Sequence, residues 1–195
     1  KDRINKGRQH RALDEEKHDA DDYQHHKGGN NNNIAFLKEY IDDIEKKQMM
    51  AFYLGFISNV LYPPSYLSLE YILSLHNLLT EMPVNFTSIT LRKTQRFSNS
   101  FGNFLYHKIK KELFCGFEIF KKGEFEILGA TKPKALFDFL YLRKNIIPDE
   151  KAFEELRLNL ENIDKKDMEE LKKYIILEGS TKMKEIYNLL VKTWK

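Results

Sequence analysis

The sequence predicts an α+β fold, in which a small, mostly antiparallel sheet of about four strands is flanked by N-terminal and C-terminal helices. Before residue 80 and after residue 130, apolar residues recur at helical spacing. Between these two regions, apolar and polar residues alternate with the period of two that is typical of strands. Hydrophobic residues make up 42% of the 195 residues, which is enough for the core of one domain.

Residues 1–33 are expected to form a disordered or tag-like polar tail. Their few apolar side chains cannot offset the cost of ordering the chain, which is roughly 1–2 kcal/mol per residue. Gly28 and Gly29, followed by four asparagines, are typical of a low-complexity linker. The folded domain is therefore expected at 34–195, with a core at 62–142 and a helical extension at 145–195.

Two amphipathic helices are predicted before the sheet, over 34–47 and 50–61. Pro63 and Pro64 should stop the second helix, because proline lacks the amide proton and restricts the residue before it. A third helix is predicted to end near Leu79, with Ser68 at its N-cap, or in its first turn if Ser65 is the cap.

Four strands are predicted after Pro83, since these segments alternate and are rich in β-branched and aromatic residues. Residues 94–97 are expected only to lead into a turn. The last two strands should form a hairpin around Gly123. The four predicted strands are 86–91, 101–109, 116–120 and 124–128.

The C-terminal part is predicted to be helical. Thr131 and Pro133 have the residue types expected at the start of a helix, and Asp164 is expected to cap a later one. Gly179 should end that helix, and a final helix should then carry Trp194 on its apolar face. Asp138, in the helix after Thr131, is expected on the solvent face, and a buried carboxylate with a partner is the alternative.

The positive charge is concentrated in one segment. The net charge is +3, but residues 86–111 contain six basic residues and no acidic one. Two interpretations stay open: a surface that contacts nucleic-acid phosphates or an acidic partner, or core aromatics that alternate with solvated lysines. The candidate binding residues are Arg92, Lys93, Arg96, Lys108, Lys110 and Lys111.

No catalytic or metal-binding motif is recognisable, so the sequence predicts neither an enzyme nor a cofactor. Cys115 is expected to be a buried, inert thiol, although a nucleophile paired with His107 is the enzymatic alternative. His76 and His107 are expected to be partly buried structural residues. The four remaining histidines lie in the polar tail, where adventitious metal binding is expected rather than a site: His10, His18, His25 and His26.

The sequence also predicts the compartment. A single cysteine excludes an intramolecular disulfide and fits a reducing cytoplasm. The longest apolar run, 49–62, is shorter than the roughly 20 residues of a spanning helix, and the N-terminus has no secretory signal. A soluble, cytoplasmic protein without membrane contact is expected.

Four segments carry a resemblance to a known family. They are YPPSYLSLEYILS, FTSITLRK, FGNFLYHKI and ATKPKALFDFLYL, at 62–74, 86–93, 101–109 and 130–142. In this order they resemble the C-terminal domain of AbiEi-type antitoxins, which belong to type IV toxin–antitoxin, or abortive-infection, systems. The resemblance covers about 80 of the 195 residues.

The resemblance implies a regulatory module that counteracts a cognate nucleotidyltransferase-type toxin without needing a stable complex with it. Family members that act as transcriptional regulators usually carry a winged helix-turn-helix domain. Where that domain is present, the resemblance also implies DNA binding and operon autorepression. Residues 1–61 do not supply such a domain. The chain also has Lys132-Pro133-Lys134 where the family usually has Pro-Glu-Lys, so any role of that glutamate does not carry over. The alternative function is a nucleic-acid-binding domain that uses segment 86–111.

Overall fold

A computed structural model describes residues 30–81, 83–122 and 125–194 of the chain. The chain divides into two compact units, 1–48 and 49–195. The described part of the first unit is helical. The second unit contains the sheet and the remaining helices. Most of the tail predicted at 1–33, residues 1–29 with the four histidines, lies outside the described residues.

Helix α1 spans Asn30–Leu61 without a break, where the sequence predicts two helices and a linker before them. The prediction of a break at 48–49 is wrong because glutamine and methionine are good helix formers and nothing there interrupts the backbone. The end of α1 before Pro63 is confirmed.

The sheet has six strands in the spatial order β3-β4-β2-β1-β6-β5. The short helix α2, Leu69–Leu75, follows the first strand. The strands are β1 Ser65–Leu67, β2 Asn85–Thr90, β3 Gln95–Asn99, β4 Gly102–Lys108, β5 Phe117–Lys122 and β6 Phe125–Ala130.

The prediction of four mostly antiparallel strands is wrong in number and in direction, although the α+β class is confirmed. Strand β1 has only three residues and β3 is polar and exposed, so neither carries the alternation that marks a strand. β1 with β6, and β2 with β4, are parallel pairs, and the other three pairs are antiparallel. Alternation within a strand contains no information about the direction of its neighbour.

The two faces of the sheet follow from the register, because residues paired across neighbouring strands point to the same face. Leu67, Ser88 and Tyr106 form one row, which Gly55 and Ser58 of α1 contact. The adjacent row points to the opposite face and consists of Tyr66, Ile89 and His107. The C-terminal helices pack on that second face, where the core lies.

Four helices follow the sheet: α3 Lys132–Arg143, α4 Glu150–Glu154, α5 Lys165–Glu178 and α6 Thr181–Thr193. The caps predicted at Thr131, Asp164 and Gly179 are confirmed, whereas Ser68 precedes α2 without a side-chain cap bond. The Thr131 hydroxyl accepts the amide proton of Lys134, and Asp164 accepts that of Asp167 in a capping box. Gly179 ends α5 in the left-handed conformation. None of the described helices combines the length and apolar character needed to cross a bilayer.

Candidate nucleic-acid or partner interface

Five of the six predicted binding residues converge at one end of the sheet. Since β2 and β4 are parallel and Thr90 pairs with Lys108, the two strands end at the same edge. Two of the basic residues follow the end of β2 after one intervening residue, and two follow in the same way the end of β4, whose last residue is Lys108. We call this surface the basic edge: Arg92, Lys93, Lys108, Lys110 and Lys111, all of them exposed.

Arg96 lies outside the basic edge. It is in the middle of β3, the outermost strand, where it pairs with Leu105 of β4. Its side chain is exposed, but Leu105, the residue it pairs with, precedes Lys108 by three positions in β4. The structure therefore separates this one predicted residue from the other five.

Two threonines hold the basic edge in place. The Thr90 hydroxyl donates to the carbonyl of Pro64 at 2.8 Å and accepts the amide proton of Arg92 at 3.1 Å. The Thr94 hydroxyl accepts the amide proton of Lys108 at 3.1 Å. These bonds fix the backbone on both sides of the edge, so the charges are presented from ordered positions.

Arg92 is oriented further by an aromatic side chain. Its guanidinium carbon lies 4.2 Å from the ring centre of Tyr62, a cation–π contact. The Tyr62 ring in turn packs on Phe97 and Tyr106, at centroid distances of 5.5 and 5.2 Å. The arginine is therefore tied to the same aromatic cluster that anchors β3 and β4.

The aromatic residues of segment 86–111 serve mainly the interior. Phe104 and Tyr106 are fully buried, while Phe86 and Phe97 are partly buried. Phe101, at the turn between β3 and β4, is 54% exposed, but that turn is at the opposite end of the strands from the basic edge. Strand alternation thus accounts for the aromatics, whereas the basic edge is a surface feature of its own.

A second cluster, whose members the sequence did not bring together, lies beneath α3. Asp138 is fully buried, so its expected place on the solvent face is wrong. Its carboxylate accepts hydrogen bonds from Lys134 Nζ at 2.5 Å, from the Ser68 hydroxyl at 2.8 Å and from the Tyr66 hydroxyl at 3.0 Å. We call these four residues the buried network.

The electrostatics of the buried network follow from its complete burial. Burial raises the pKa of Asp138, and the ammonium of Lys134 and the two hydroxyl donors oppose this rise. Burial and the adjacent Asp138 raise the pKa of Tyr66 well above its usual range. The Lys134 ammonium also lies 4.7 Å from the ring centre of Phe137. All of these groups are satisfied within the protein, so the network joins α3 to β1 rather than presenting groups to a ligand.

A signal for this cluster was present in the sequence. Lys134 and Asp138 are one helical turn apart, a spacing that allows an ion pair. The apolar residues around Asp138 occupy positions on all sides of α3, and 133–140 are all buried. A helix with no polar face has no solvent side, so its charged residues must pair inside.

The two residues of the enzymatic alternative have different neighbours. Cys115 is partly rather than fully buried. His107 lies in a cleft of about 330 Å³ beside the ion pair of Glu70 and Arg143. The contacts found among the described residues do not join the thiol to the imidazole.

His107 is half-buried, as predicted, and burial lowers its pKa; Arg143 adds to this effect and Glu70 opposes it. His76 caps the end of α2, and its side chain is among the exposed ones, although burial is still the main cause that lowers its pKa. Within the described ranges, no group of three or more His, Cys, Asp or Glu side chains is arranged to hold a metal ion.

Comparison with protein-family models, with curated proteins and with solved structures finds no match to this chain.

Proposed function

We propose that this chain is an antitoxin-like regulatory module that counteracts a nucleotidyltransferase-type toxin, as the C-terminal domains of AbiEi-type antitoxins do. One observation carries the proposal: the four resembling segments, distant in sequence, pack into one unit. Tyr66 and Ser68 come from the first segment, and Lys134 and Asp138 from the last. The second and third segments supply β2 and β4, which pair over six residues.

The module acts by contact rather than by chemistry. Its charged interior residues are saturated by one another, while its uncompensated positive charge is on the surface at the basic edge. A role in operon autorepression belongs to this proposal only where a DNA-reading domain accompanies the module. The antitoxin need not form a stable complex with the toxin, so growth is a better readout than co-purification.

The test is co-expression of the full chain with a nucleotidyltransferase-type toxin, which the proposal expects an adjacent gene to encode. Growth should be restored. Reversal of Lys165, Lys166, Lys172 and Lys173 of α5 to glutamate provides a surface control, since these lysines are exposed and belong to a helix that contributes no residue to the basic edge. Restored growth with wild type and with this control supports the proposal, and unrelieved toxicity with folded wild type contradicts it.

A second candidate is nucleic-acid binding, which the convergence of the five basic-edge residues favours. Such a surface neutralises phosphates, and the release of counterions makes its affinity fall steeply with salt. Reversal of Arg92, Lys93, Lys108 and Lys110 to glutamate should abolish the binding of duplex and single-stranded probes in a mobility-shift assay. The α5 reversal makes the same change in charge and should weaken binding much less. Equal affinities for wild type and the basic-edge variant would exclude this candidate.

A further inference from the structure

Strand β5 is an outer strand of the sheet, and within the described residues no strand pairs with its open side. Two of its exposed side chains are large and apolar: Ile119 is 56% exposed and Phe120 is 41% exposed. The other outer strand, β3, is protected in the usual way by polar residues and by Arg96. β5 also carries charged residues, Glu118 and Lys121 among them, but Ile119 and Phe120 leave an apolar stretch at its centre that is suited to pairing with another strand.

At the centre of β5, backbone hydrogen-bonding groups also face the open edge of the sheet. Ile119 lies opposite Leu128 of β6. Residues directly opposite each other in an antiparallel pair either exchange both hydrogen bonds or neither. The amide and carbonyl of Leu128 bond instead to the side chain of Asn59, at 2.6 and 3.2 Å. The amide and carbonyl of Ile119 therefore face the open edge, and by the period of two those of Phe117 and Lys121 do as well.

We propose that β5 pairs with β5 of a second copy of this chain, antiparallel and about a two-fold axis, so that the two sheets become continuous. An isologous contact of this kind requires a surface that is complementary to itself. The axis must be perpendicular to the sheet, because only then do the two strands run antiparallel with the same faces on the same side. The residue of β5 through which the axis passes then lies opposite its own copy.

Charges select the register. With Glu118 or Lys121 on the axis, two like charges are directly opposite, which destabilises a cross-strand pair. With Ile119 on the axis, each Glu118 is opposite Phe120 and gains no partner. With Phe120 on the axis, each Glu118 is opposite Lys122 of the other copy, an oppositely charged residue. The pairing therefore centres on Phe120, with the two exposed phenylalanines in contact.

The oligomeric state tests the proposal directly. Wild type should be a dimer by light scattering coupled to gel filtration. Phe120→Lys and Phe120→Glu should each be monomeric, because each places two like charges on the axis. An equimolar mixture of the two variants should recover the dimer. The matched control is Val84→Lys, which makes the same kind of change at an 83% exposed residue outside β5 and should stay dimeric.

Cross-linking provides a second test, in which the substitution adds no charge to β5. The amide and carbonyl of Phe120 point toward β6, so Phe120 on the axis forms a non-hydrogen-bonded pair, with Cα atoms about 4.5 Å apart. This distance suits a disulfide. In a Cys115→Ser background, Phe120→Cys should form a covalent dimer on mild oxidation, whereas Lys121→Cys, opposite Ile119, should not. A monomeric wild type, a dimer that survives both charged variants, or equal cross-linking at the two positions would overturn the proposal.

Discussion

Lys134 donates to the carboxylate of Asp138 one helical turn later, and neither side chain has any exposed surface. Taking two charges out of water costs several kcal/mol per ion, and this cost is recovered only where the geometry is good and the other hydrogen bonds are satisfied. Here Tyr66 and Ser68 supply those further bonds from the opposite side of the core. The pair therefore fixes which face of α3 packs against β1.

Removal of one member of this pair should be far more harmful than removal of both. Lys134→Met leaves an unpaired buried carboxylate, and Asp138→Leu leaves an unpaired buried ammonium, so each should cost about 3–5 kcal/mol of unfolding free energy. The double variant should recover most of that loss. Urea unfolding of the four proteins measures the coupling, and simple additivity of the two single losses would contradict the network as described.

Gly116 should be much less tolerant of a side chain than Gly179, although both have positive φ, +73° and +78°. A Cβ at Gly116 would overlap the Tyr174 hydroxyl and lie 3.0 Å from Lys134 Cδ. At Gly179 the nearest atom would be 3.7 Å away. Gly179→Ala should therefore cost only the left-handed penalty of roughly 1–2 kcal/mol, and Gly116→Ala clearly more. Equal losses in thermal unfolding would show that the space around Gly116 can relax.

Asn59 should stabilise the edge of β6 that faces β1, its parallel neighbour. The pairing of β6 with β1 is limited to Gly129 with Leu67, and the Asn59 side chain bonds both backbone groups of Leu128. Asn59→Leu would leave two backbone groups without partners, at about 1–3 kcal/mol each. The neighbouring Val60→Leu, at a 60% exposed position, is the matched control and should be nearly neutral. Equal chemical-denaturation midpoints for the two variants would argue against this role.

The sequence could predict those parts of the fold that depend on local chemistry. Thr131, Asp164 and Gly179 mark helix ends through bonds or backbone conformations that span a few residues. β1 could not be predicted because its three residues are stabilised by the partners β2 and β6 and not by a pattern of their own. The burial of Asp138 likewise depends on Tyr66, which is 72 residues away.

The residues of the candidate site could be predicted from the sequence, but their arrangement in space could not. The six basic residues stand out by sequence alone. Their division into a five-residue edge and a separate Arg96 depends on the parallel pairing of β2 with β4. That pairing arises because β4 inserts between β2 and β3 in the sheet, which is a matter of topology.

His107 should make stability depend on pH in the mildly acidic range. Burial lowers its pKa below the usual 6.5, with Glu70 and Arg143 as its charged neighbours. The unfolded chain therefore binds the proton more readily, so this contribution to stability is complete above pH 6.5 and is lost as the pH falls through the folded pKa. His107→Gln should flatten this part of the curve of unfolding free energy against pH. Lys108→Gln, at the exposed next position of β4, should leave it unchanged. If the two variants and wild type lose stability in parallel on acidification, His107 is not the group responsible.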